Sequence, residues 1–216
     1  MSLAQQFHTP DLTAVLRKHR EDIVRSMNCH QVGKIVSFDA TKQVANVQLQ
    51  MKRIIFNTKA ESADASTPTE PQVVSYPMLV ALPVFVYTGG GSYISMPVAV
   101  GDTCLVHFGD RDIDEWFNNG TELEPNTGRA HDLNDGFAVV GYRNLLNKID
   151  GYDTTNVVIR SSSKVDISNG TTSIKAVFDA LIDALTAAVD THGDSFNSSA
   201  LTALASAKTL SHTLFK

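Results

Sequence analysis

The sequence predicts a mainly β protein with helical ends, and three observations lead to that prediction. Five or six short runs of β-branched and aromatic residues, bounded by turn residues, lie between residues 30 and 143. No crossover helices separate them, which favours a small closed barrel over a parallel sheet. In the segments on either side, apolar residues recur at helical spacing, which predicts a helix before the barrel and helices after it.

The N-terminal segment, residues 1–29, is predicted to be an amphipathic helix. Thr9 suits the N-cap, Pro10 the first helical position and Asp11 the positive end of the helix dipole. One face then carries residues at three- and four-residue steps: Leu12, Val15, Leu16, His19, Ile23 and Met27. A lone helix of this length is marginal in water, so this face is expected to pack on something.

Residues 30–146 are predicted to form the barrel. The stretch "GKIVSFDATKQVANVQLQMKRI" predicts two strands around the turn "DATKQ", and the polar stretch "NTKAESADASTPTEPQ" predicts a loop. The further strands are expected in "YPMLVALPVFVY", "SYISMPV", "TCLVHF" and "DGFAVVGYR".

The next segment, residues 147–170, has two short alternating runs, "NVVIR" and "KVDIS", separated by serines, with an Asn-Gly turn after the second. Alone it has too little apolar surface for a core. It is therefore expected to be stable only where copies from several chains wrap together.

The C-terminal segment, residues 171–216, is predicted to be a helical hairpin. Thr172 suits the N-cap of its first helix, which is expected to end near His192 with Gly193 just beyond it. Four apolar residues at alternating four- and three-residue steps form a heptad seam, which indicates helix association: Ile174, Phe178, Leu181 and Leu185. Val177, Ile182 and Val189 widen this stripe. Ser198 or Ser199 can cap the second helix, which contains Leu201, Leu204 and Leu214.

The glycine run Gly89–Gly91 follows an apolar β-type stretch, as it would in a phosphate-binding loop. Such a loop needs a lysine and a helix immediately afterwards, whereas "SYISMPV" follows here. Positive-φ residues that join two strands explain the glycines, so the run predicts a hairpin turn.

The acidic run "GDRDIDEWFNNGT" places Asp110, Asp112 and Asp114 at positions one, three and five of a calcium loop. Position six is Glu115 instead of glycine and position twelve is Thr121 instead of glutamate, so the calcium pattern fails. The aspartates are expected to face water or to pair with Arg111.

His107, His131 and Asp132 are the residues that could suggest acid–base chemistry or zinc. The pattern supplies no third ligand at a useful spacing and no nucleophile with an orienting partner. No G-x-S-x-G motif occurs either. The sequence therefore predicts that the protein is not an enzyme.

Composition argues against several function classes. The net charge of −5 gives no basic footprint for nucleic acid or anionic lipid. No apolar run approaches the ~18 residues of a membrane span, and the N-terminus lacks a signal-peptide pattern, which indicates folding in a cytoplasm. Cys29 and Cys104 fit no metal spacing and are interpreted as buried thiols, with a disulfide between them as the alternative.

Small barrels often bind single strands through aromatic platforms and basic grooves. Phe85, Tyr87 and Tyr93 could stack bases here. The same region carries acidic loops where a basic track is needed, so a nucleic-acid backbone would be repelled. Nucleic acid is the second interpretation, and none is expected as a partner.

Three segments, in this order, resemble a known family: "GKIVSFDATKQVANVQLQ", then "YPMLVALPVFVYTGGGSYISMPVAVGDTCLVHFGDRDIDEWFNNG", then "RAHDLNDGFAVVGYR". They are similar to the N-terminal OB-fold domain of the central spike proteins of contractile phage tails, which are related in architecture to baseplate assembly protein V. The resemblance covers about residues 30 to 143. Its most specific parts are "PVAVGD", "GDRDIDEW" and "RAHDLNDGFAVVGY".

The resemblance implies a homotrimer on the tail axis, in the baseplate of the virion. Three OB-fold barrels would form a collar that meets the tail hub or tube, and residues 147–170 would intertwine below it into a short trimeric β-prism. Sheath contraction would then drive the tip through the host envelope, with no reaction catalysed. The alternative is an OB-fold binding module for single-stranded nucleic acid or glycan.

This sequence departs from the family at its end. Such spikes commonly finish in a β-helix tip with a His-x-His iron site, but no H-x-H occurs here, and His192 and His212 are isolated. No metal or cofactor is therefore expected. The C-terminal helices are expected to dock a separate tip protein or to fold back along the prism.

The residues expected to matter have structural roles. Gly89, Gly90, Gly91, Gly101 and Asp102 are expected to set turns, Trp116 and Phe117 to anchor the loop after the "TCLVHF" strand, and Ile174, Phe178, Leu181 and Leu185 to form the trimer seam.

Overall fold

A computed structural model of the chain describes residues 11–55, 71–122, 124–188 and 192–215. Thr9, Pro10, Val189 and most of the predicted polar loop lie outside these residues. The chain divides into two compact units, Met1–Lys148 and Ile149–Lys216.

The elements of the first unit are, in order, α1 (Leu12–Ser26), β1 (His30–Asp39), β2 (Val44–Leu49), β3 (Arg53–Ile55), β4 (Gln72–Val74), β5 (Leu79–Pro83), β6 (Tyr87–Gly89), β7 (Ser92–Ile94), β8 (Thr103–Phe108), α2 (Asp114–Asn119), β9 (Gly136–Val140) and a 3-10 turn (Leu145–Asn147). The second unit holds α3 (Ile174–Ala187) and α4 (Ser198–Leu214). The prediction of a mainly β protein with C-terminal helices is confirmed.

One curled, half-barrel sheet dominates the first unit. Its strand order is β5-β2-β1-β8-β9, and each neighbouring pair is antiparallel. Its two edges approach each other, because Val84, just after β5, forms a parallel bridge with Ala138 of β9. The Phe85 amide donates to the Ala138 carbonyl at 2.9 Å beside this bridge.

The core lies on the concave side of this sheet, and alternation along the strands determines which residues reach it. On β1, Gly33 and Ile35 are buried while Val32 and Lys34 are exposed. The buried apolar cluster comprises Ile35, Ala45, Val47, Leu49, Leu79, Leu82, Cys104, Val106, Phe108 and Ala138. Gly33 permits close packing there, since a Cβ at this position would lie 2.4 Å from Cγ1 of Val47.

Two short ribbons extend from the sheet. β3 pairs with β4, and these strands flank residues 56–70, where the sequence predicts a loop. β6 pairs with β7 across the glycine run.

Helix α1 contributes nothing to this core, because all of its residues are exposed. It begins at Leu12 after Asp11, whose side chain makes no capping hydrogen bond. Among the described residues, no helix combines the length and apolarity needed to cross a bilayer.

The second unit is a pair of helices whose ends differ from the predicted ones. Ser173, not Thr172, caps α3 by accepting from the Ala176 amide, and Asn197, not Ser198 or Ser199, caps α4 by accepting from the Ala200 amide. Helix α3 stops at Ala187, so its predicted end near His192 and Gly193 was wrong. Asparagine caps at least as well as serine, and sequence alone did not choose between neighbouring caps.

The predicted strands "NVVIR" and "KVDIS" are absent as strands from described residues 149–173. Only two single bridges form there, Val165 with Phe215 and Ser168 with Ser173. Val157 and Ile159 stay 95% and 79% exposed. A single chain therefore offers these residues no sheet to join.

Candidate functional site

The glycine run forms the tip of the β6–β7 hairpin. Gly90 and Gly91 are its two turn residues, with φ of 58° and 79°, while Gly89 is the last residue of β6. Positive φ at both central positions is the geometry that a two-residue hairpin turn requires. No phosphate-binding helix follows within the described residues, because β7 begins at Ser92.

The two strands of this hairpin and the residues just outside them carry a set of exposed apolar side chains, here called the hairpin patch: Phe85, Tyr87, Tyr93, Ile94 and Met96. Their exposed fractions lie between 51% and 72%. Phe85 and Tyr87 meet edge to face with ring centroids 5.0 Å apart. Adjacent exposed apolar residues of this size are typical of an interaction surface.

Gly101 and Asp102 form a turn that is fixed to β1. The Asp102 carboxylate accepts from the Ala99 amide at 2.8 Å, closing the turn. The Ile35 amide donates to the Asp102 carbonyl, and the Gly101 amide to the Ile35 carbonyl, both at 2.9 Å. This turn therefore continues the pairing of β8 with β1, next to the point where the register of β1 with β2 shifts, between Ile35 and Ser37.

Trp116 and Phe117 lie on the short helix α2, where the sequence predicted a loop. Trp116 packs edge to face on Phe137 of β9, with centroids 5.9 Å apart. Both side chains stay partly exposed, at 52% and 40%. Gly120 ends the helix in the left-handed conformation.

The motifs "GDRDIDEW" and "RAHDLNDGFAVVGY" meet at an ionic cluster, here called the Arg129 cluster: Arg129, Asp112, Asp114 and Asp135. Nη2 of Arg129 lies 2.9 Å from Asp112, 2.8 Å from Asp114 and 2.9 Å from Asp135. The Asp112 and Asp135 side chains are 1% and 0% exposed. Asp110 faces water, with its side chain 88% exposed. The expected pairing with Arg111 was wrong, since Asp112 and Asp114 pair with Arg129.

The Arg129 cluster explains why several aspartates occur close together in this run. Three carboxylates surround one point, as in a cation site, but the guanidinium already supplies the positive charge there. The Thr127 hydroxyl, the Asp114 amide and the Arg129 charge, in that order of size, hold the pKa of Asp112 below its ordinary value. The cluster thus fastens the loop after β8 to the loop before β9.

Backbone contacts reinforce the same junction. The Gly109 amide donates to the Asp135 carbonyl at 2.7 Å, and the His131 amide to the Gly109 carbonyl at 3.2 Å. The Asn28 side-chain amide donates to the His131 carbonyl at 2.9 Å. His131 has φ of 52°, which a non-glycine residue tolerates only where its surroundings hold it.

The residues weighed for catalysis have different neighbours. Nδ1 of His131 lies 3.2 Å from the Asn28 carbonyl oxygen, and the Asp132 carboxylate accepts from Asn134. His107 is exposed on β8 and faces His30 of β1. Among the described residues, no hydrogen bond joins a serine, threonine or cysteine side chain to these three groups.

The two cysteines differ in burial, and both are free. Cys104 is buried in the core, and desolvation raises the pKa of its thiol to about 11. Cys29 is exposed, so its interpretation as a buried thiol was wrong.

The four predicted seam residues lie together on α3. Phe178, Leu181 and Leu185 are 42%, 54% and 39% exposed, and Ile174 is half-buried. Ile182, predicted only to widen the stripe, is the buried residue of α3. Phe178 stacks on Phe215 at 5.9 Å. The seam therefore has apolar surface that α4 leaves uncovered.

Polar contacts hold the second helix of this hairpin against the first. Nε2 of His212 lies 2.8 Å from the Asp179 carboxylate, to which Lys175 also donates at 2.7 Å. Lys208 donates to Asp183 at 2.6 Å. His212 is thus half-buried beside a carboxylate.

Sequence reasoning missed Arg129 and Asp135. Both belong to the stretch "RAHDLNDG", and a signal was present, because a run with several acids needs a cation if it is buried. The chain offered several arginines, and sequence spacing could not select among them.

Residues 32–141, just over half of the chain, match the family model described as the phage protein Gp138 N-terminal domain. No curated protein matches the chain significantly. The matched range contains the half-barrel sheet apart from the first two residues of β1, together with the hairpin patch and the Arg129 cluster.

Proposed function

The chain belongs to the Gp138 N-terminal domain family of phage proteins, and from that premise we propose that it is a central spike component of a contractile phage tail. In this proposal the protein is a homotrimer on the tail axis, located in the baseplate of the virion. It acts mechanically when the tail penetrates the host envelope, and it is not an enzyme.

The strand order supports an OB-fold collar. Three strands (β1, β2 and β5) follow one another in the sheet, β8 pairs with β1, and β9 pairs with β8. The bridge between Val84 and Ala138 brings the two edges together in parallel. A five-stranded barrel that is partly open fits this arrangement.

Apolar residues that one chain cannot bury carry the trimer proposal. Leu145 and Leu146, close to the end of the first unit, are 90% and 92% exposed. Val157 and Ile159 are similarly uncovered, in a stretch whose alternating pattern predicts strands. Sheets made between chains would bury these side chains and pair the free backbone groups.

The same reasoning assigns the remaining surfaces to partners. The hairpin patch would contact the tail hub or tube proteins, and the C-terminal helices would dock a separate tip protein. Both proposals rest on exposed apolar area.

The contact between the hairpin patch and the hub can be tested by lengthening the hairpin tip. Inserting residues at Gly90 should weaken binding to the isolated hub protein, and unchanged binding would show that the hairpin patch is not part of the hub interface.

The mass of the full chain in solution tests the proposal most directly. Light scattering coupled to size exclusion should give three chains per particle. A monomer or dimer at micromolar concentration would contradict the trimer. Gold-labelled antibody on purified virions should then mark the end of the tail, and labelling of the head would contradict the baseplate location.

The exposed rings Phe85, Tyr87 and Tyr93 favour one second candidate, an OB-fold module that binds single-stranded nucleic acid or glycan. Base stacking on such rings tolerates any sequence. Phosphate contacts would make binding sensitive to salt. A salt-sensitive shift of a fluorescent oligonucleotide would support this candidate over the spike, and the net charge of −5 argues against it.

A further inference from the structure

Two histidines, far apart in sequence, face each other on the outer surface of the sheet. His30 of β1 and His107 of β8 are directly paired, and their ring centroids lie 6.1 Å apart. Both are exposed. On β1 the odd-numbered Gly33 and Ile35 are buried, and on β8 Val106, next to His107, is buried, so alternation along each strand directs the two imidazoles away from the core.

The backbone brings this pair especially close. The Phe108 amide donates to the Cys29 carbonyl at 3.0 Å, and this bond joins the residues just outside the pair. His30 and His107 are therefore a pair without hydrogen bonds between their own backbones, the type in which the Cα atoms are about 4.5 Å apart and the side chains are closest.

We propose that His30 and His107 form a two-imidazole site for a divalent late transition-metal ion, such as Zn²⁺ or Cu²⁺. Imidazole nitrogen is a preferred ligand of these ions, and it binds zinc at about 2.1 Å. Two rings with centroids 6.1 Å apart reach one ion after a modest side-chain rotation. Water completes the coordination at this exposed position, and Cu²⁺ binds more tightly than Zn²⁺.

The sheet also supplies a reporter for this site. Phe137 of β9 is the partner of His107 on its other side, and Trp116 packs on Phe137. Trp116 is the single tryptophan of the chain. Bound Cu²⁺ should therefore quench tryptophan fluorescence, and Zn²⁺, which does not quench, should restore it by competition.

The test is titration of the full chain with Zn²⁺ by calorimetry and with Cu²⁺ by fluorescence at pH 7.5. The variants His30→Gln and His107→Gln should each bind at least about ten-fold more weakly, because each loses half of the protein ligands. His19→Gln, an exposed histidine of α1, is the matched control and should bind like the parent. Spin resonance of bound Cu²⁺ should show coupling to imidazole nitrogen in the parent.

Three outcomes would overturn the proposal. One is unchanged affinity in both His30→Gln and His107→Gln, with their folds verified by circular dichroism in chelator. Another is loss of binding in Cys29→Ser, which would assign the ion to the neighbouring thiol. The third is loss in His131→Gln, whose Nε2 lies 3.7 Å from Asp110, with retention in His30→Gln.

Discussion

Arg129 forms a bidentate ion pair with the buried carboxylate of Asp135: Nη2 donates to Oδ1 at 2.9 Å and Nε donates to Oδ2 at 3.2 Å. The Asp135 side chain has no exposed surface. A paired, two-pronged contact of this kind fixes geometry as well as charge. It is the centre of the junction between the loop after β8 and the loop before β9.

Replacing Arg129 by alanine should destabilise the fold strongly. The change leaves two buried carboxylates without their cation, which costs about 3 kcal/mol of unfolding free energy, the low end for a broken buried pair because Arg129 is itself partly exposed. Chemical denaturation followed by circular dichroism measures this. Arg111→Ala is the control and should stay within about 0.5 kcal/mol of the parent. Equal losses for both variants would contradict the assignment.

Acid should weaken the same junction through Asp112. The Thr127 hydroxyl, the Asp114 amide and Arg129 hold the pKa of this carboxyl below its ordinary 3.8 in the folded state. A group whose pKa is depressed by folding stabilises the protein above its unfolded pKa and loses that contribution as pH falls through the folded value. Asp112→Asn should thus be less stable at pH 7 and should lose less on acidification below about pH 4. Parallel pH curves for the two proteins would refute this.

Charges in the α3 seam should dissociate the proposed trimer without unfolding the chain. Phe178→Asp combined with Leu181→Asp places two carboxylates in an apolar interface, which should raise the dissociation constant by at least about 100-fold. Sedimentation velocity measures the change. Ala180→Asp, on an exposed side of α3 away from the seam, should leave the trimer intact. A stable trimer in the double variant would show that the seam lies elsewhere.

Valine substitutions at two neighbouring glycines of the hairpin tip should differ in their effect on its stability. Valine at Gly91, where φ is 79°, should destabilise the turn by about 1–2 kcal/mol, because a left-handed backbone crowds a Cβ. Amides of β6 and β7 should then exchange hydrogen faster. Valine at Gly89, which has open space around it and no positive φ, should leave exchange unchanged or slower. The reverse order would contradict the turn geometry.

Local patterns predicted the elements whose signals are short-range. The stretch "GKIVSFD" before the turn "DATKQ" predicted a strand, and β1 (His30–Asp39) contains it. The glycine run predicted a hairpin, and β6 and β7 pair across it. Helix ends were less predictable, since Ser173 and Thr172 are chemically similar caps. The residues around this helix start bond to the preceding segment, where the Ile174 amide donates to the Ile167 carbonyl at 2.9 Å.

Contacts between distant segments needed the fold. The partner of the acidic run could have been Arg111 or Arg129, and only the pairing of β8 with β9 brings Arg129 to Asp112. His30 and His107 likewise meet only because β1 pairs with β8 in one register. A shift of one residue would turn either histidine to the core side.

The sequence by itself determined the class of the protein: a β-rich domain with turns at its glycines, an apolar stripe on a C-terminal helix, and motifs of a phage protein family. These follow from residue spacing, because secondary structure imposes periods of two and 3.6 on burial. The tertiary structure alone decided which charges are paired, which apolar residues one chain leaves uncovered and which histidines are neighbours. Those relationships depend on strand register and loop closure, which place residues side by side whatever their separation along the chain.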